Sequence, residues 1–212
     1  MGLGTICYFC KHKKNTRFCD ECLKQVSPQF KLLPTLPNIC LGGYLFDYFP
    51  ALKVILRDVK FNGNFRLGDW LKKTNYEYHI PNIFFETDAI IYVKSYWLKQ
   101  IFRGRPHIPF LFQETLAKKH NKKNYLKRIK WSTSSYKLER KERMSHANKG
   151  RFNWTAPKHI KTVTILDDIV TTGATISEIE KLLKVSGVET IMVLSLCYQT
   201  IETTTINKKV SF

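Results

Sequence analysis

Two groups of residues in this 212-residue chain have types and spacings suited to chemistry. The first is Cys7-Tyr8-Phe9-Cys10 with Cys19-Asp20-Glu21-Cys22, two C-x-x-C pairs set eight residues apart. A tight turn inside each pair aims two sulfurs at one tetrahedral ion at about 2.3 Å, and two pairs close a four-thiolate shell. Such a shell leaves no position for water, so the ion expected at Cys7, Cys10, Cys19 and Cys22 is a structural zinc. Two disulfides or four free thiols are the alternatives, and a reducing cytoplasm argues against the disulfides. His12 could replace one thiolate, but four cysteines already fill the shell and a solvated side chain is expected. The segment is too short for its own core, and the ion would supply about 10–16 kcal/mol to fold it. Of the other two cysteines, Cys197 ends an apolar run as a small buried hydrophobe, and neither it nor Cys40 is assigned a nucleophilic role.

The second group is Val163-Thr164-Ile165-Leu166-Asp167-Asp168-Ile169-Val170-Thr171-Thr172-Gly173-Ala174-Thr175. Apolar residues deliver two adjacent carboxylates to the C-terminal end of a strand, where open α/β sheets bind ligands. The loop Thr171 to Thr175 offers hydroxyls and unobstructed backbone N–H groups, then opens a helix whose N-terminus favours an anion. Carboxylates beside a phosphate cradle make sense when they grip sugar hydroxyls while magnesium neutralises other phosphates.

These residues must be positioned by strands and helices that the pattern also indicates. Asp88 to Val93, Thr162 to Leu166 and Thr190 to Cys197 read as buried strands. Between the last two, Ile176, Ile179, Leu182 and Leu183 share a helical face, with Thr175 and Glu178 as a capping box and Gly187 at the stop. Strand, loop, helix and strand in this order imply a parallel sheet and an α/β fold. A further helix is expected over Ala51 to Lys60. Pro28, Pro34 and Pro37 mark a linker. The expected organisation is therefore a zinc-binding module and linker over 1–40, followed by an α/β domain over 41–212.

Composition bounds the functions. Hydrophobic residues at 43% and aromatics at 13% exclude global disorder. No apolar run approaches the roughly 18 residues of a spanning helix. The start, Met1 to Thr5, lacks a basic region and Cys7 interrupts any apolar stretch, so a cytoplasmic protein is expected. The net charge of +18 points to polyanions. Fifteen basic and two acidic residues fall between Lys118 and Lys161, so most of that charge sits in one stretch. Tyr125, Trp131, Tyr136, Phe152 and Trp154 interleave it, the combination expected for single-stranded DNA or RNA. The candidate nucleic-acid contacts are Lys122, Lys123, Lys127, Arg128, Trp131, Arg140 and Arg143. A solvated basic face, or an anionic membrane surface met by the same lysines, are the alternatives.

The stretch Val163 to Thr175 resembles the phosphoribosyl pyrophosphate (PRPP) motif of type I phosphoribosyltransferases. With the four-cysteine module ahead of it, the chain resembles the ComF family of competence proteins. The likeness also covers Tyr44 to Phe65, including Lys60-Phe61-Asn62-Gly63, and Arg103-Gly104. The resemblance implies a type I phosphoribosyltransferase-like parallel sheet flanked by helices. It implies that Asp167 and Asp168 hold the ribose hydroxyls and that Thr171, Thr172, Gly173, Ala174 and Thr175 hold the 5′-phosphate, with magnesium. It also implies natural transformation as the setting, at the cytoplasmic side of the inner membrane, with imported single-stranded DNA and competence helicase or translocation machinery as partners. Two stretches depart from the family. Tyr92-Val93-Lys94-Ser95-Tyr96 stands where a proline-rich pyrophosphate loop is usual, leaving Lys94 as the pyrophosphate contact. Arg105-Pro106-His107 replaces phenylalanine, asparagine and glutamine.

Transfer at the anomeric carbon would need an ordered base behind the ribose as well as stabilisation of leaving pyrophosphate. Arg140, Lys141 and Arg143 are candidates for the second task, but no nucleobase hood is recognisable. The reading is therefore a PRPP-binding, single-strand-binding factor. Its rivals are an active phosphoribosyltransferase of nucleotide salvage and an adaptor whose zinc module recruits a helicase or translocase.

Overall fold

The structure is a computed structural model that describes residues 5–7, 9–14, 19–24, 26–93, 106–118, 123–129 and 150–199. The N-terminal segment carries a two-residue ladder, β1 (Thr5–Ile6) against β2 (Lys13–Lys14), and the short helix α1 (Asp20–Lys24). The chain then enters the main sheet. β3 (Lys31–Leu32) pairs antiparallel with β4 (Leu41–Asp47), so the proline-bounded linker contributes an edge strand. Val26 is buried in the same core. Gly43 permits the close approach of Phe30, because a Cβ there would lie 2.2 Å from the ring.

Helix α2 (Pro50–Asn62) follows β4. Pro50 suits a first helical position because its missing N–H would have no intrahelical partner there. Leu52, Ile55, Leu56 and Val59 form one fully buried face. Gly63, at φ 63°, ends the helix in the left-handed region and returns its N–H to the Asp58 carbonyl. α3 (Phe65–Lys72) and two 3-10 turns, Tyr76–His79 and Asn82–Phe85, lead to β5 (Ala89–Tyr92). Two short helices come next, α4 (His107–Leu111) and α5 (Gln113–Ala117). A separate antiparallel hairpin is formed by β6 (Leu126–Arg128) and β7 (Phe152–Trp154). β8 (Thr162–Val170), α6 (Ala174–Val185) and β9 (Thr190–Tyr198) complete the fold.

The five-stranded sheet has the order β3-β4-β9-β8-β5, with every pair parallel except the edge pair β3–β4. The fold is α/β, as its strand and helix pattern implies. β8 and β9 lie inside the sheet and are buried on both faces, which explains their near-continuous apolar sequence. Alternate residues feed two cores. Leu166, Leu194 and Leu196 pack with α2, α3 and α4, while Val163, Ile165, Ile191 and Val193 pack with α6 and the hairpin. Asn124 finishes the free side of β5: its carboxamide oxygen accepts the Tyr92 N–H at 3.4 Å and its nitrogen donates to the Tyr92 carbonyl at 2.9 Å.

Two local readings need correction. β8 runs on through both aspartates to Val170, paired with β9 to the end. The capping box at Thr175 and Glu178 does not form: Gly173 occupies the cap, and Glu178 is drawn away to Arg151. No helix among the described residues is long and apolar enough to cross a membrane.

Candidate functional site

The turn from β8 into α6 is set by Gly173, whose φ of 70° is a conformation that side chains with a Cβ rarely adopt. Its carbonyl accepts the Ser177 N–H at 2.8 Å, beginning the helix. Ala174 directs its N–H to Thr172 Oγ1 at 3.4 Å. Asp167 and residues 169–176 line a small open hollow above this helix end. Thr171 and Thr172 are exposed there, Thr175 is half-buried, and the α6 dipole favours an anion.

The two adjacent carboxylates part company. Successive residues of a strand face opposite sides, and Asp167 lines the hollow while Asp168 faces α2 and α4. Lys60 Nζ, from the last turn of α2, stands 3.0 Å from Asp168 Oδ1 and 2.7 Å from Oδ2. His107 Nε2, from the start of α4, lies 3.4 Å from the same Oδ2. Backbone donors fix both groups: the Asp168 N–H reaches Asp167 Oδ1 at 2.9 Å, and the Ile169 N–H reaches Asp168 Oδ1 at 3.1 Å. Burial, then the charge of Asp168, pushes the Asp167 carboxyl well above the usual range. Burial works in the same direction on Asp168, but the Lys60 ammonium and then His107 overcome it and hold that carboxyl well below the range. The pair therefore offers one carboxyl that retains its proton readily and one fixed carboxylate.

The β6–β7 hairpin packs against α6. Leu126 and Phe152 are buried with Ile176, Ile179 and Leu183. Arg128 is half-buried on the same side, its guanidinium 5.6 Å from the Phe152 ring. Burial and the neighbouring Arg151 charge oppose its protonation, while Glu178 and Asp167 support it. Lys127 points outward and is exposed, as is Lys123, whose ammonium lies 5.5 Å from the Tyr125 ring.

At the other end of the sequence, the four sulfurs of Cys7, Cys10, Cys19 and Cys22 lie within 4.8 Å of one another. The Cys7–Cys22 and Cys10–Cys19 separations are both 3.9 Å, and a tetrahedral ion with bonds of about 2.3 Å requires edges of about 3.8 Å. All four are free thiols, and the separations exclude disulfides. The first knuckle is shaped by backbone bonds from Lys11 N–H to the Cys7 carbonyl and from Cys7 N–H to the His12 carbonyl. Lys11 takes a left-handed φ of 61° at this turn. Burial and the neighbouring thiols push Cys22 up to about 12. Burial also opposes ionisation of Cys7, yet backbone N–H groups draw it down to about 6. The cluster can hold one ion such as zinc, and His12 stays exposed outside it. Phe9, between the first two cysteines, packs on Trp70 of α3 with ring centroids 5.2 Å apart.

No protein-family model matches the chain. Competence protein F of Haemophilus influenzae is 28% identical to it over 204 residues, covering 89% of this chain and 79% of that protein. The chain is similar to this competence protein along most of its length.

The loop residues Asp167, Thr171, Thr172, Gly173, Ala174 and Thr175 converge on one hollow. Asp168 is instead committed to Lys60 and His107. Lys94, Lys122, Trp131, Arg140 and Arg143 lie outside the described residues. Among the aromatics of the basic stretch, Tyr125 and Phe152 are core residues and have no ring face free for a base. Lys60 and His107 received no role from sequence. The lysine-phenylalanine-x-glycine stretch was the available signal for Lys60, since Gly63 stops α2 just where Lys60 reaches the diacid. His107, in a stretch departing from the family pattern, carried no such signal.

Proposed function

We propose that this chain acts in competence, binding PRPP with magnesium at the β8–α6 loop and single-stranded DNA at its basic surface. The observation that carries the ligand reading is the hollow itself, where an acidic side chain and the N-terminus of a twelve-residue helix meet around a left-handed glycine. A ribose 5-phosphate needs this combination: N–H groups for the phosphate and a carboxyl for the sugar hydroxyls. Asp167 would take a hydroxyl, and residues 171–175 the phosphate. Magnesium, bound through the ligand's own phosphates, would offset their charge. The relation to a competence protein supports the setting. The exposed Lys123 and Lys127 support contact with a polyanion. Peripheral attachment on the cytoplasmic side of the inner membrane completes the reading.

Thermal unfolding with and without PRPP and magnesium tests it. Ligand near 100 times its dissociation constant should add about 2.7 kcal/mol, a rise of roughly 5–10 °C for a chain this size. Asp167→Ala should abolish the rise. No rise at millimolar PRPP in the folded wild type would overturn the ligand assignment. A search for pyrophosphate release across purine, pyrimidine and orotate acceptors separates binding from transfer.

A further inference from the structure

The salt-bridged face of the diacid has no part in the hollow, yet it is built with more care than a stability element requires. Asp168 is 2% exposed and meets the Lys60 ammonium from one helix and the His107 imidazole from another. Lys60 reaches it from 108 positions away in sequence. A buried ion pair is often no better for stability than well-packed apolar residues, because both charges must leave water. This one sits at the ligand end of an interior strand, where an α/β sheet places its chemistry. The same peptide unit links the two carboxylates, since the Asp168 N–H is the donor that orients Asp167.

We propose that Lys60 and His107 are positioning residues that hold the Asp168 carboxylate in place and thereby fix the Asp167–Asp168 peptide in the one orientation that presents Asp167 to the ribose. The assignment rests on the ribose-phosphate reading of the hollow. Lys60 spans both oxygens, which sets the plane of the carboxylate, and His107 closes the side nearest α4. The titratable groups facing Asp168 are Lys60 from α2, His107 from α4, Asp167 on its own strand and Cys197 from β9. Without the ammonium, a buried carboxylate beside Asp167 and the buried Cys197 would take up a proton. The Asp168 side chain would then become a donor, and the peptide that aims Asp167 would lose its anchor.

The experiment is a titration of aspartate carboxyl carbons by NMR on the full chain, with Asp168 assigned by loss of its signal in Asp168→Asn, followed by PRPP–magnesium affinity across the same pH range. In the wild type Asp168 should stay ionised below the ordinary carboxylate range. In Lys60→Met its midpoint should move above that range, and affinity should fall by about tenfold at pH 6 and recover towards pH 8. Lys60→Arg should keep the wild-type profile, and His107→Gln should raise the midpoint less than Lys60→Met does. An Asp168 that titrates in the ordinary range in wild type, or an unchanged midpoint and affinity profile in folded Lys60→Met, would overturn the assignment. If Lys60→Met does not fold, the wild-type midpoint and that of His107→Gln decide. A wild type that binds no PRPP while showing the expected carboxyl titration would sink the ligand reading and leave the Lys60–Asp168 anchor standing without that ligand.

Discussion

Arg151 holds Glu178 from two directions: its backbone N–H donates to Oε1 at 2.6 Å and its Nε donates to Oε2 at 2.5 Å. The contact ties the loop end of the β6–β7 hairpin to the second turn of α6, the helix that begins at the hollow. Glu178→Gln should loosen the hairpin first. The pair is about one-third exposed, so screening limits the cost to about 1 kcal/mol. Amide exchange should accelerate at residues 126–128 and 152–154 while β8 and β9 keep their protection. Uniform acceleration across the sheet would contradict this local role.

Metal removal should be felt beyond the cysteines. One zinc per chain is expected on release by a thiol reagent, and less than half of that from Cys10→Ser. Because Phe9 stacks on Trp70, the metal-free protein should also show altered tryptophan emission and a lower unfolding temperature. Retention of both properties after complete zinc release would separate the thiolate cluster from the core.

Asp167 should cost the folded state stability at neutral pH. Its native carboxyl binds a proton more tightly than the unfolded one, so stability falls as pH rises from about 4 through the raised native value. Asp168 works the other way, since its stabilisation is present above about pH 4 and is lost as pH falls through its depressed native value. Asp167→Asn keeps an oxygen for the Asp168 N–H and should gain about 1 kcal/mol at pH 7, roughly 2–4 °C. The gain should vanish near pH 4. Unfolding curves at the two pH values check the sign.

Binding to single strands should weaken with salt at a slope of about −0.7 per phosphate neutralised. Replacing the exposed Lys123 and Lys127 with glutamine should flatten the slope by roughly 1.4 in total. Phe152→Ala should act on stability instead, because Phe152 is packed in the core. A slope unaltered by the double lysine change would move the polyanion surface elsewhere.

The buried strands and α6 were legible in sequence because an interior parallel strand has no polar face to interrupt its pattern. β4 was harder to see. Gly42 and Gly43 dilute its apolar signal, and the reasons for them, Leu33 packed against Gly42 and the Phe30 ring over Gly43, are tertiary. The cysteine cluster was readable from short-range spacing, as was the strand-to-helix turn at Gly173. Lys60 was marked only by its place in the lysine-phenylalanine-x-glycine stretch, with no role attached, and His107 was not marked at all, since a histidine after a proline reads as a solvated residue. Their role depends on three separate elements converging on one carboxylate.

Leu36 lies against the β8–α6 turn so closely that a Cβ on Gly173 would come within 2.9 Å of its Cδ2. That contact makes a simple modular dissection of this molecule misleading. A truncated chain beginning after residue 40 would lose the cysteine knuckles, but also the edge strand at Lys31–Leu32 and the leucine that buttresses the β8–α6 turn. Loss of ligand affinity in such a fragment would report a removed support, and could not be credited to the metal.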